Sequence, residues 1–526
     1  MASVWRSQYW RETSFSRYIA AIRKSPKEIY NRHLILCVFV FACCGQPKGW
    51  DEGSAASIVE LDGFDRAFGS STGTHANIVS FVNLSAGVGA FLSLFVHDHR
   101  WGGRINSLRL SLIIFISGCL ASTFSYGNLG ALYFGRLWAG LGVGAASVVG
   151  PTYIVEIAPS ETRGLMTLCF NLWMLLGQML GVFTVYACSI HVSSSSNLQY
   201  QIPFFVQTFV PLISLVLSFF VSESPRYLCL QGKLEAGINA LCKIRGLPSD
   251  DLLIQKEILE IKSQIWRESK FGSEQVSLSN QFRELFLVKS NFRRICLSLM
   301  AYFLAQFSGA NAITNYLPSI FGLIGVTGSR QQIYSTGLYA FTKLMCTLIG
   351  SLFFLDALGR RPSYLTGVLI QMVCHLYLGI YLQRYSSNPL TISTGASRAA
   401  IGAIFIHAFG WSIGLYCLPY LFGSELFPVR IRALAASLSQ TFHWLFYFAI
   451  TKATPGMFDG MDDWGAFIFF ATWCAIAWLY GYFMVPETSG KSLESIDNLF
   501  CKTSVRPSEV QTTEEHVELK NMGHEI

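Results

Sequence analysis

The 526 residues are 52% hydrophobic and only 13% charged, with a formal net charge of +7. A soluble chain of this length needs far more charge to cover its surface, so a water-soluble globular fold is excluded. Half of the 14 cysteines need no special chemistry. Cys37, Cys43, Cys44, Cys119, Cys169, Cys346 and Cys474 fall in apolar runs, where a thiol acts as a small hydrophobe, and no Cys/His spacing suggests a metal site.

The first 33 residues carry Arg6, Arg11, Arg17, Arg23, Lys24, Lys27 and Arg32, too long and basic a lead for a cleavable signal peptide. Apolar runs of roughly 18 to 25 residues follow, the length that crosses a hydrocarbon core about 30 Å thick. In lipid every backbone polar group must pair within its own structure, so runs this long are helices. They fall at 34–54, 77–97, 107–126, 129–150, 164–188 and 203–222, then at 296–324, 332–355, 362–383, 398–423, 433–452 and 464–485.

The polar stretch between the two sets has helical patterning, with Leu252, Ile254, Ile258, Ile261 and Ile265 at short spacings, and reads as amphipathic helices. After about residue 500 the chain is polar, lacks a hydrophobic pattern and is expected to be disordered. Placing both termini in the cytoplasm puts most of the 39 Lys and Arg on that side, as the positive-inside rule requires. The positive charge then reflects topology and anionic headgroups, with no need to invoke nucleic acid.

The expected fold class is an all-α membrane protein with 12 transmembrane helices in two pseudo-symmetric six-helix halves. Its parts are a cytoplasmic N-terminal segment (1–33), a first half (34–222), a cytoplasmic linker (223–295), a second half (296–485) and a cytoplasmic tail (486–526). The halves repeat. Arg104, after the second run, answers to Asp356, Arg360 and Arg361 after the eighth. Glu156-Ile-Ala-Pro159 with Arg163 after the fourth matches Glu425-Leu-Phe-Pro428 with Arg430 and Arg432 after the tenth. Ser222-Glu223-Ser-Pro-Arg226 matches Pro486-Glu487-Thr488. Such duplication is typical of secondary transporters. Ion pairs among these groups would close the inner end in one conformation and part in the other.

The motifs themselves resemble the sugar-porter family of the major facilitator superfamily. They are Gly135-Arg136 with Gly140, Gly142 and Gly144; Pro151, Tyr153, Glu156 to Pro159 and Arg163-Gly164; Gln306-Phe-Ser-Gly-Ala-Asn311; Asp356 to Arg361; Ser424 to Pro428; and Pro486-Glu-Thr-Ser-Gly490. The resemblance covers about residues 30–500. The first loop motif departs from the family by an extra residue and by reading Gly-Gly-Arg, and Ser222 replaces the usual Pro. Both departures bear on the strength of the inner gate in the first half more than on the fold.

Polar groups at membrane depth are the functional candidates, because an ionised one costs about 2.5–3.5 kcal/mol on insertion scales. Gln306, Asn311 and Asn315 fall roughly on one face of the seventh run, with Gly309 breaking the helix between them. Amides offer donors and an acceptor to hydroxylated solutes, and they also glue helices together. The resemblance implies sugar contacts for Gln306, Asn311 and Asn171, with Trp444 and Tyr420 as aromatic walls and Ser412 at a position often polar. It also implies that Asp51, in Gly-Trp-Asp, takes up a proton. An exposed carboxylate at the helix end beside Lys48 is the alternative.

Lys343 sits mid-way along the eighth run with no acidic residue within a turn, so it is expected to face the bundle interior. There it could hold a carboxylate or pair with Asp51. Its context, Thr336 to Lys343, and Pro26 to Asn31 resemble the quinate-permease branch. His407 and His443 read as hydrogen-bonded core histidines.

The function expected is proton-coupled symport of a monosaccharide or a quinate-like polyhydroxy acid, by a plasma-membrane monomer with no cofactor beyond the proton gradient. A non-transporting nutrient sensor on the same fold is the rival, disfavoured by the short tail. No nucleotide loop or nucleophile–base pair points to an enzyme.

Overall fold

The computed structural model describes residues 13–69, 71–97, 102–270, 278–354, 358–387, 393–416, 427 and 429–485. Tyr420, Asp356 and Glu425 lie outside them, as do the side chain of Arg432 and the polar tail. Among the described residues all regular structure is helical. Nine helices are long and apolar enough to cross a membrane: Thr72–Val96, Gly103–Thr123, Leu129–Ile157, Arg163–His191, Leu198–Leu217, Ser329–Phe354, Arg360–Ser387, Thr394–Ile413 and Trp464–Met484.

Three further spans complete the bundle of 12. The first is broken into Arg32–Ala42, a 3-10 turn at Cys43–Gly45, and Gln46–Ile58. The seventh is broken into Lys289–Phe307, Ala310–Asn315 and Leu317–Leu323. The eleventh, Val429–Gly460, is continuous and carries Gln440, His443 and Lys452.

The packing repeats as the sequence does. In the first half the second span lies on the fourth, the third on the fourth, and the first on the fifth; in the second half the eighth lies on the tenth, the ninth on the tenth, and the seventh on the eleventh. The halves meet through two equivalent pairs, second with eleventh and fifth with eighth. Small residues set these approaches, as expected where lipid removes the hydrophobic drive between helices. A Cβ on Gly49 would stand 1.6 Å from the Met174 carbonyl, and one on Gly53 2.2 Å from that of Gln178. The first span is therefore seated on the fifth along a glycine stripe.

Between the halves run short helices Pro225–Leu230, Leu234–Arg245, Leu252–Lys270 and Leu278–Leu287. Ile254 and Ile258 are buried against Leu241, whereas Leu252 is exposed. The buried Arg245 anchors this layer to the first half. Its guanidinium grips Glu257 (2.6 and 3.0 Å) and donates to the Ile157 carbonyl (2.7 Å) at the end of the fourth span.

Candidate functional site

The seventh span breaks because Gly309 adopts a left-handed conformation (φ +83°), where a Cβ would also strike the Phe470 ring at 2.4 Å. Glycine alone accepts both conditions cheaply. At the break the Ser308 carbonyl receives the Nε2 proton of His375, 2.9 Å away, so the interruption leaves this buried carbonyl satisfied. Gln306 and Asn311 flank the break, with Asn311 Nδ2 2.7 Å from Gln306 Oε1.

A narrow cavity lies beside them. Lys48 and Glu52 of the first span, Met174 of the fifth, Tyr302 and Gln306 of the seventh, Trp411 of the tenth and His443 of the eleventh contribute to its wall. Lys48 Nζ is 3.3 Å from His443 Nε2, and Gln306 stands 3.1 Å from His443 Nδ1. Gln306 presents its Nε2 to the ring, and its Oε1 accepts from Asn311 Nδ2. Lys48, His443, Gln306 and Asn311 thus form one polar chain from the first half into the second.

Asn315 stands behind this wall. Its Nδ2 lies within hydrogen-bond reach of the Asn311 carbonyl (2.8 Å), Tyr447 Oη (3.0 Å) and Thr451 Oγ1 (3.3 Å), sharing its two protons among them and tying the seventh span to the eleventh. Trp444, fully buried, donates to Ser147 Oγ across the halves (3.1 Å) and offers its ring to Lys48 Nζ at 4.6 Å. Asn171 is half-buried on the fifth span and is not part of the cavity wall.

Lys343 is fully buried, as expected, but it stands behind Trp411, 4.3 Å from the ring centroid, and donates to Thr314 Oγ1 at 3.4 Å. Ser412 meets Thr347 Oγ1 at 3.0 Å, outside the wall. Asp51 is buried rather than exposed at a helix end. Its partner is Arg136, which takes both carboxylate oxygens and is held by the Ile78 carbonyl at 2.9 Å. A pairing of Asp51 with Lys343 is not the one present. His443 is hydrogen-bonded, but at the cavity wall. His407, expected to be hydrogen-bonded, has no partner on either ring nitrogen among the described residues. It lies 4.8 Å from the His375 ring.

The charged motifs gather at the linker end. Arg104 grips Glu156 through two bonds (2.8 and 3.1 Å) under the Tyr227 ring. Glu223 accepts from the backbone nitrogens of Arg104 (3.2 Å) and Ile105 (3.1 Å), capping the third span. Burial pushes the Glu223 carboxyl above its ordinary value, against the pull of those bonds and of Arg104.

The extra glycine of this motif is what fits it: Gly103 has φ +73°, and a Cβ there would lie 2.6 Å from Glu223 Oε2. Ser222, in place of Pro, meets His33 Nε2 at 2.8 Å. Arg163, exposed, and Arg226 lie near Arg245 and Glu257. Arg361 donates to the Tyr482 carbonyl, and Arg360, half-buried, lies beside it.

At the opposite end the halves touch directly. Lys452 donates to Asn77 Oδ1, Ser319 to Glu60 Oε1 at 3.0 Å, and the Tyr186 and Tyr334 rings meet at 5.3 Å. These contacts join the halves there, and the cavity walls run from Asn311 toward the linker end through Ala305 and Tyr302.

Residues 37–500 match the family described as sugar (and other) transporter. The chain belongs to this family, the sugar porters of the major facilitator superfamily. It is 33% identical over 488 residues to a probable quinate permease of Aspergillus fumigatus, covering 91% of this chain and 89% of that protein. It is 31% identical over 494 residues to the quinate permease of Emericella nidulans, covering 92% and 91%.

Among solved structures it resembles the proton:xylose symporter XylE bound to 6-bromo-6-deoxy-D-glucose, with a TM-score of 0.74, 22% identity, and coverage of 89% and 99%. The inward open xylose transporter XylE from E. coli gives 0.69, at 21% identity and coverage of 89% and 99%. The protein is a multi-pass membrane transporter with that fold.

Reading the sequence missed Lys48, Glu52, Arg136, Trp411 and Gln178 as site candidates. The available signal was a pair of ionisable residues one helical turn apart, Lys48 and Glu52, flanking Asp51 at membrane depth. Gln178 lies on the glycine stripe, and its Oε1 is buried without a partner among the described residues.

Proposed function

We propose that the protein is a proton-coupled symporter of a monosaccharide or a quinate-like polyhydroxy acid, working by alternating access of its two halves around the central cavity. The observation that carries this reading is the polar chain Lys48–His443–Gln306–Asn311, which joins the halves beside the buried Asp51–Arg136 pair. The names of its relatives, quinate permease and proton:xylose symporter, support the solute class and the coupling.

In this reading Asp51 takes the proton and exchanges it as Arg136 moves. Gln306 and Asn311 bind hydroxyls, Asn315 and Lys343 hold the wall behind them, and Trp444 and Tyr420 shape it, with Asn171 approaching when the halves rock. The linker end is cytoplasmic, as are both termini, and the transporter acts as a plasma-membrane monomer driven by the proton gradient without a cofactor. Residues 34–222 and 296–485 are the moving halves, joined by 223–295. The pairs among Arg104, Glu156, Arg163, Glu223 and Arg226, with Asp356, Arg360, Arg361, Glu425 and Arg432 in the second half, close the linker end and part when it opens.

The test is uptake of labelled quinate and hexoses by protein in liposomes under an imposed pH gradient. Asp51→Asn should abolish accumulation against a gradient while sparing substrate exchange. Undiminished accumulation in that variant would remove the symport claim.

A further inference from the structure

Lys48 and Glu52 share a helix face one turn apart, both buried and both on the cavity wall. Their separation, Nζ to Oε1, is 3.9 Å. That is well beyond the roughly 2.7–2.9 Å of a fully formed charge-assisted bond, as in Arg104–Glu156 at 2.8 Å. The ammonium also contacts His443 and the Trp444 face. It is thus a cation at the cavity beside an anion that stands outside full contact with it and also accepts from the Tyr447 hydroxyl.

We propose that Lys48 is the anchor for a carboxylate substrate, and that Glu52 is the resident stand-in, which takes up a proton when the substrate displaces it. The proposal rests on the cavity being the solute site. An entering carboxylate would meet Lys48, with its hydroxyls facing Gln306 and Asn311 and its ring facing Trp411. Two carboxylates on one ammonium in a site this dry cannot both stay ionised.

The displaced Glu52 therefore binds one proton from the compartment the substrate came from. When the substrate leaves on the other side, Glu52 releases that proton there and returns to Lys48. No covalent bond other than this O–H forms or breaks, and the charge of the site is the same loaded and empty. The charged and titratable groups facing Glu52 are Lys48 and Asp51 on its own span, Lys343 on the eighth, and Tyr447 and His443 on the eleventh. Asp51 is occupied by Arg136 of the fourth. Lys48 is the cation nearest at hand, and it is the one that exchanges partners.

The experiment uses full-length protein in liposomes with labelled quinate, D-glucose and myo-inositol. It compares wild type with Lys48→Met, Lys48→Arg and Glu52→Gln, by substrate exchange and by the proton:quinate ratio from reversal potentials. Lys48→Met should lower quinate exchange relative to the neutral polyols by about tenfold or more, the loss expected for a charge-assisted contact, and Lys48→Arg should restore part of it. Glu52→Gln, which mimics the protonated acid, should lower the proton:quinate ratio by one, whatever its effect on the rate of exchange.

An unchanged quinate-to-polyol ratio in Lys48→Met overturns the anchor. An unchanged proton ratio in Glu52→Gln overturns the stand-in. If wild type exchanges neutral sugars and never quinate, this inference fails while the transport reading stands. If it exchanges none of the three, both fail.

Discussion

His375 of the ninth span donates its Nε2 proton to the Ser308 carbonyl at 2.9 Å, at the point where the seventh span breaks. Gln306 and Asn311 owe their approach to that break. His375→Ala leaves a buried carbonyl without this donor, which costs about 1–3 kcal/mol. The expected result is a lower melting temperature for purified protein together with weaker solute binding. Gly309→Ala should be worse on both measures, because it combines a left-handed backbone with a clash against Phe470.

Arg136 and Asp51 are a buried pair from the fourth and first spans. Removing one member leaves the other charge uncompensated, at a cost of about 3–5 kcal/mol. Arg136→Gln should therefore destabilise the protein more than Asp51→Asn/Arg136→Gln does. Thermal unfolding of the two variants in detergent checks this. Equal destabilisation would mean that the pairing contributes nothing.

Lys343 backs Trp411 and does not reach the cavity wall itself. Lys343→Met keeps the bulk and removes the cation–π contact, worth about 0.5–2 kcal/mol. Exchange of quinate and of D-glucose should fall by similar factors. A loss confined to quinate would instead make Lys343 a direct carboxylate contact.

Glu156 holds Arg104 through two bonds at the linker end. Glu156→Gln weakens the grip on a buried arginine, so the conformational balance at that end should shift. The measurement is the labelling rate of a single cysteine introduced at Ala305, on a background lacking the native cysteines. A rate equal to that of the Glu156 parent would separate this pair from gating.

The run lengths, the duplicated charged motifs and the placement of Gly309 were legible in the sequence, because each follows from local chemistry. A hydrocarbon core sets the length of a span, a glycine permits a left-handed turn, and like motifs mark like halves. Lys343 was legible as interior for the same reason, since a mid-span ammonium cannot reach water.

What the chain order could not convey is which distant side chains meet. His443 reads as an isolated polar residue in an apolar span until the fold sets it 3.3 Å from Lys48. Asp51 reads as a proton acceptor or an exposed helix-end carboxylate, with no partner in view, until Arg136 closes on it. The glycine stripe seats the first span so closely on the fifth that residues 48–52 lie buried at the waist of the bundle and not at its rim. The sequence alone determined a duplicated membrane carrier with polar groups at depth. The tertiary structure decided which cation faces the cavity, because helix rotation and approach are set by packing between spans far apart in the chain.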